Sequence, residues 1–367
     1  MTVRARLWFS WPIRSVLQLV VLGLVVEFII LPQIAGLGPT VRTLLDVDSP
    51  WVVLGLGAEL ASFAAFAAAT RMMLAPAHRP PYQRVLRIDL ATIGLNHSVP
   101  AGGAAGTALG LRLLSEAGVP PDDAAFAKIG QGVGASCLLV VLLVSSVAIA
   151  IPLHGSSPLY VSACVVGLAV VVVAALAVTV LHRGRALTTR VLCAVTRRVP
   201  KVDDDAGARW AARIGAQFDL MTAHPSRLAV AMAWAAANWL LDAFALWCCL
   251  RAYGHSYGYD GLMTSFALAQ VAAWVPLTPG GLGVVEGVLI PTLLGFGGTT
   301  STVAVGVITY RLMAYWLTLP LGALAYTSTA GERWWQARRP ATPRDDSAGS
   351  SPDGTRDDRS GNPAGTG

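Results

Sequence analysis

A chain of 367 residues that is 54% hydrophobic and only 13% charged falls well short of the roughly 25% charged share of a soluble domain. Apolar runs near 20 residues and a mean hydropathy of +0.58 make it an integral membrane protein. The formal charge of +6 is carried almost wholly by arginine, with only Lys128 and Lys201 as lysines, and no soluble basic segment offers a nucleic-acid surface.

The N-terminus places Arg4, Arg6 and Arg14 before an apolar run from Ser15 to Leu31. That run is long for a secretory signal and no A-x-A site follows, so residues 1–14 are expected to be cytoplasmic and a retained first helix to cover about 15–35. A second span is expected over 50–74, followed by a basic loop at 75–87 with Arg79, Arg84 and Arg87. Apolar sequence from about 85 to 116 is then broken by "NHSVPAGGAAG" at 96–106. Each arm is too short to cross a hydrocarbon core of ~30 Å at 1.5 Å per residue, which predicts a re-entrant hairpin. Further spans are expected over 124–152 and 158–182.

Residues 183–227 carry nine Arg or Lys against four Asp and read as basic amphipathic helices on the cytoplasmic leaflet, or as a polar connector. A span over 228–252 follows. Apolar sequence from 260 to 295 is broken by "VPLTPGGLGVVEG", which predicts a second hairpin. A last span is expected over 302–328. Residues 331–367, rich in Asp, Gly, Pro, Ser and Arg, are expected to be a disordered cytoplasmic tail.

Placing the basic segments inside the cell fixes the direction of every span. The first hairpin then enters from the cytoplasm and the second from outside; ten full crossings would satisfy the same parity. Pro100 and Pro279 stand 179 residues apart, and that offset also brings 50–74 onto 229–253. The expected fold is therefore an all-α polytopic bundle of six spans and two opposed hairpins, arranged as an inverted repeat over 15–152 and 153–330.

Charged residues inside spans are expensive and mark sites. Here they are Glu27, Glu59, Lys128, Asp242, Glu286 and Arg311, with Arg71 and Asp89 expected near the membrane edges. Glu286 and Arg311 form a packing ion pair, or Arg311 binds an anionic headgroup while Glu286 shares its charge or carries a proton, or both. Gly102 and Gly103 in the first break, and Gly280, Gly281 and Gly283 in the second, let a headgroup or a neighbouring helix reach the backbone; Gly102, Gly106 and Gly110 also have GxxxG spacing. Thr278 adds a hydroxyl donor. Asn96 and His97 precede the first break, where His97 either packs or transfers a proton. Glu59 and Asn238 are equivalent under the 179 offset. Tyr310 and Trp274 read as interfacial or core aromatics. The cysteines, at 137, 164, 193, 248 and 249, form no CxxC and read as small packing residues. No GxxxxGK[ST] or HExxH is present, and no catalytic activity, metal or cofactor is expected.

"PLTPGGLGVVEG" followed by "GVITYRLMAYWLTLPLG" resembles the second signature of the lysylphosphatidylglycerol synthase transmembrane-region family of flippase-like membrane proteins. Pro279, Gly280, Gly281, Leu282, Gly283, Glu286, Arg311 and Leu312 fall on its pattern, and "NHSVPAGGAAG" with "EAGVPPDDAAF" resembles the first signature. The likeness covers about 12–328. It departs at "AKIGQGVGAS", where many relatives carry an arginine-bearing segment and this chain offers Lys128. The resemblance implies translocation, between leaflets of the inner membrane, of a lipid with an anionic or phosphate-bearing headgroup, or of a lipid-linked sugar, without aminoacyl transfer. The alternatives are a transporter of a small soluble anion and a non-transporting partner of an envelope-synthesis enzyme.

Overall fold

The structure is a computed structural model and describes residues 48–99, 102–154, 225–274 and 278–338. The expected first helix (15–35), the span 158–182, most of the segment 183–227 and the tail beyond 338 lie outside the described residues, as does Pro100. The elements are α1 (Ser49–Met73), α2 (Tyr82–Ser98), α3 (Gly102–Glu116), α4 (Pro121–His154), α5 (Pro225–Ala252), α6 (Tyr259–Ala272), α7 (Val284–Gly295), α8 (Thr300–Arg311) and α9 (Thr318–Arg338). Single turns lie at Pro76–His78 and Pro279–Gly281, and a π turn at Leu312–Trp316 joins α8 to α9. No strand occurs among the described residues.

Among the described residues, four stretches are long and apolar enough to cross a membrane: Ser49–Met73, Pro121–Pro152, Pro225–Ala252 and Thr300–Thr329. They coincide with four of the six expected spans. Their outward faces carry Val53, Leu60, Val133, Val141, Ile149 and Leu240 exposed, as helices solvated by lipid require. Two boundaries differ from expectation. The span expected over 302–328 is interrupted by the π turn just after Arg311. The last helix runs to Arg338, so residues 331–338 continue a helix where a disordered tail was expected.

Each broken segment is a pair of short helices packed on each other, α2 on α3 and α6 on α7. Glycine sets the first pair. A Cβ on Gly106 would stand 1.7 Å from Asn96 Oδ1, and one on Gly102 would stand 2.1 Å from the Asn96 carbonyl oxygen. The GxxxG row thus serves close helix packing. Gly94 of α2 likewise meets Gly322 of α9, where a Cβ would lie 2.9 Å from the Gly322 Cα.

The apolar interior has two cores, divided along the length of the spans. One contains Ala67 and Met73 from the end of α1, Ala124 and Ala127 from the start of α4, Ala231 from the start of α5, and Val85, Ile88, Leu113 and Leu114 from the α2–α3 pair. The other contains Ala58, Leu143, Val147, Leu246 and Leu250 from the opposite ends of the same spans, with Met263, Phe266, Leu289 and Leu293 from the α6–α7 pair. One helix pair therefore packs at one end of the bundle and the other pair at the other end.

Candidate functional site

The two pairs meet where their chains break. α2 packs against the Pro279–Gly281 turn. Gly280 adopts φ +54°, and a Cβ there would lie 2.6 Å from both the His97 and the Tyr315 rings. The His97 and Tyr315 rings stack with centroids 4.9 Å apart, and Tyr315 Oη donates to the His97 carbonyl at 2.8 Å. Thr318 Oγ1 donates to the Tyr315 carbonyl at 2.6 Å, so His97 Nδ1, 2.7 Å from that hydroxyl, is the N–H that donates to it. Both ring position and tautomer of His97 are thus fixed by its neighbours. It serves packing.

Arg311 closes the same region. Its Nε donates to Glu286 Oε1 at 2.5 Å, a second guanidinium nitrogen donates to the Gly280 carbonyl at 3.4 Å, and its charge lies 5.0 Å from the Tyr315 ring centroid. Glu286 Oε2 accepts from the Gly283 N–H at 2.7 Å. That bond satisfies an orphan donor at the start of α7 and places the carboxylate at the positive end of the helix. Gly283 can turn the chain there because φ +83° costs glycine nothing. The π turn follows Arg311 directly, as π-bulges at functional sites commonly do.

Between these groups lies a cavity of about 670 Å³. Twelve of the sequence-predicted residues line it: Glu59, Asn96, His97, Gly102, Gly103, Asn238, Asp242, Thr278, Gly280, Gly281, Tyr310 and Arg311. Pro279, Gly283 and Glu286 were also among the candidate site residues, with packing as the alternative role for Gly283 and Glu286. They do not line the cavity; they build the turn behind it, and Glu286 reaches it only through Arg311. Pro100, as stated, is not described.

Asp242 is held from two sides: Tyr310 Oη donates to Oδ1 at 2.6 Å and Gln270 Nε2 donates to Oδ2 at 3.3 Å. Glu59, 2% exposed, lies within hydrogen-bonding reach of Asp242. Asn238 Nδ2 donates to Ser62 Oγ at 2.8 Å, joining α5 to α1. Among the described residues, Glu59 Oε2, Asn96 Oδ1 and Thr278 Oγ1 are buried without a hydrogen-bond partner.

Sequence reasoning missed Gln270, Ser62, Phe66 and Trp239, which also line the cavity. Gln270 had a signal, as the single amide in the apolar arm "SFALAQVAAW". The others look like ordinary span residues. Trp274 lines the cavity too and is 42% exposed, so it is not a core aromatic.

The expectation for Asp89 is corrected. It is 1% exposed and pairs with Lys128 of α4, itself 9% exposed, and neither residue lines the cavity. Lys128 also lies 5.8 Å from the Phe66 ring centroid, and Thr92 and Gly110 pack around it. Arg71 sits at the end of α1, as expected, and donates to the Pro80 carbonyl. Arg79 and Arg227 both donate to the Leu74 carbonyl there, capping the helix with positive charge.

The profile of the lysylphosphatidylglycerol synthase transmembrane region matches residues 15–322. A curated protein described as "UPF0104 membrane protein", from Methanothermobacter thermautotrophicus (strain ATCC 29096 / DSM 1053 / JCM 10044 / NBRC 100330 / Delta H), is 29% identical over 87 residues. That alignment covers 24% of this chain and 26% of the relative, so the chain matches about a quarter of the relative's length.

Proposed function

The chain belongs to the lysylphosphatidylglycerol synthase transmembrane-region family, and on that premise we propose that it carries the polar headgroup of a membrane lipid, or of a lipid-linked sugar, between the two leaflets of the cell membrane. The observation that carries this reading is the cavity of about 670 Å³ between two packed cores, a largely apolar wall set with Glu59, Asn96, Asn238, Asp242 and Arg311, inside helices whose outer faces are apolar. Its volume falls within the range of about 300–1,000 Å³ typical of ligand sites. Acyl tails need no polar path, because they can stay in the bilayer while the headgroup crosses.

We read α2–α3 and α6–α7 as opposed re-entrant hairpins and the two halves as an inverted repeat. Each pair packs into the core at one end of the spans, and the breaks meet between the cores. Irregular backbone at that depth is tolerated where it lines a wet cavity, and that arrangement is the plan of alternating-access carriers. The arginines near the end of α1 orient that end, and both termini, toward the cytoplasm. Arg311 offers the guanidinium for a phosphate, with the open backbone of the two breaks beside it.

The test is direct. The purified protein is reconstituted into vesicles of phosphatidylethanolamine and phosphatidylglycerol containing fluorescent analogues of either lipid, and dithionite reports the outer-leaflet fraction. Transbilayer movement faster than in protein-free vesicles is expected, and Arg311→Ala is expected to slow it. Rates equal to protein-free vesicles for both lipids would reject the reading.

A further inference from the structure

The cavity holds an imbalance of charge that lipid translocation alone does not use. Glu59 of α1, Asp242 of α5 and Glu286 of α7 surround a single guanidinium, Arg311 of α8. Glu286 is committed to Arg311 and to the Gly283 N–H. Glu59 and Asp242 therefore face each other as a second carboxyl pair, without a cation of its own among the described residues. Arg311 is the positive charge that acts on both members of the pair, and it is shared with Glu286; the other titratable groups described around them bring none. Tyr310 of α8 donates to Asp242; His97 of α2 is turned to Thr318; Cys249 of α5 is a buried thiol near Glu59; and Tyr315 of the π turn bonds to His97. Lys128 of α4 is tied to Asp89, and neither lines the cavity.

Two carboxylates at hydrogen-bonding reach in a buried site cannot both stay ionised. Which one takes the proton follows from the donors. Both oxygens of Asp242 already accept, from Tyr310 and Gln270, and this favours its anion. Glu59 Oε2 is buried without a hydrogen-bond partner among the described residues. A proton on Glu59 lets it donate to Asp242 and removes the repulsion.

We propose that Glu59 and Asp242 form a proton-binding site in which Glu59 carries one exchangeable proton, and that this proton is given up and regained as a headgroup enters and leaves the cavity. The coupling rests on the translocation reading; the proton site does not. The step is a simple transfer. The Glu59 O–H bond breaks, its proton passes to cavity water, and the carboxylate left behind is reprotonated from the other side of the membrane once the cavity faces that way. With one proton per lipid, an imposed pH gradient moves the lipid as well as the proton.

Two measurements test the two parts separately. Infrared spectra of the purified protein at neutral pH are expected to show a protonated-carboxyl band that shifts in heavy water, is lost in Glu59→Gln and is displaced in Asp242→Asn. Glu59→Gln keeps a neutral donor toward Asp242, and a thermal-unfolding scan establishes that it is folded. A band unchanged in Glu59→Gln would overturn the proton site. In the vesicle assay, a pH gradient is expected to skew the steady leaflet ratio of the labelled lipid by up to about tenfold per pH unit, the ratio that one coupled proton allows. Glu59→Gln should abolish the skew. Lipid that moves but stays symmetric under the gradient would overturn the coupling. Absence of all lipid movement would overturn the translocation reading and the coupling with it, while the infrared result still decides the proton site.

Discussion

Arg311 and Glu286 are joined by a 2.5 Å bond and are both tied to the turn between α6 and α7, Arg311 through the Gly280 carbonyl and Glu286 through the Gly283 N–H. The pair is thus a clasp holding α8 to the α6–α7 break. Its side chains are 9% and 11% exposed, so removing one partner strands a buried charge. Arg311→Ala is expected to cost roughly 3–5 kcal/mol of stability, and Glu286→Gln combined with Arg311→Met is expected to recover much of that loss. Denaturant unfolding of both in detergent, compared in a double-mutant cycle, measures the coupling. Additive effects of the single changes would show that the two side chains act separately.

Asp89 and Lys128 form the corresponding clasp between α2 and α4, and neither lines the cavity. Lys128→Met alone should destabilise the protein strongly, because Asp89 is 1% exposed and its Oδ2 already lacks a partner. The double change Asp89→Asn with Lys128→Met should restore folding and retain lipid movement in vesicles. A stable double variant that no longer moves lipid would give this pair a role beyond packing.

Glycines in the same helical setting are expected to respond in opposite directions. Gly106→Ala would push a methyl group to 1.7 Å from Asn96 Oδ1 and must spread α2 from α3. Gly57 of α1 has no described residue within 4 Å of an added Cβ. Gly57→Ala should therefore stabilise α1 by roughly 0.5–1 kcal/mol, through the lost backbone freedom of the unfolded chain. Melting temperatures in detergent should fall for the first variant and rise slightly for the second.

The proposed opposed hairpins place their bases on opposite sides of the membrane. Gln83, at the start of α2, and Thr300, at the start of α8, are both exposed. In a chain whose five native cysteines are replaced, Thr300→Cys should react with an impermeant maleimide in intact cells, and Gln83→Cys only after the membrane is opened. Labelling of both from one side would contradict the arrangement.

The four described spans were legible in the sequence because a run of apolar residues near the bilayer thickness reports itself without any knowledge of neighbours. The two breaks were legible for the same local reason. Proline removes a donor, and the glycines of "PGGLG" permit the positive φ seen at Gly280, Gly281 and Gly283. Charge inside an apolar run likewise singled out Glu59, Asp242, Glu286 and Arg311 in advance, and all four lie in or directly behind the cavity.

Partnership was not legible. Asp89 looked like a membrane-edge residue and is the buried partner of Lys128, 39 positions away. Glu286 read equally as a packing partner of Arg311 or as a ligand group, and it forms the clasp behind the wall. Glu59 meets Asp242 across α1 and α5, and Gln270 reaches Asp242 from α6. In a soluble helix the polar face marks the outside, so periodicity tells which residues face inward. A helix in lipid is apolar toward lipid and toward the core alike, and that signal is lost. The sequence by itself thus determined which segments enter the membrane, where their backbone breaks, and which charges accompany them. Only the tertiary packing decided how the helices are rotated against one another, and so which carboxyl meets a cation and which meets another carboxyl.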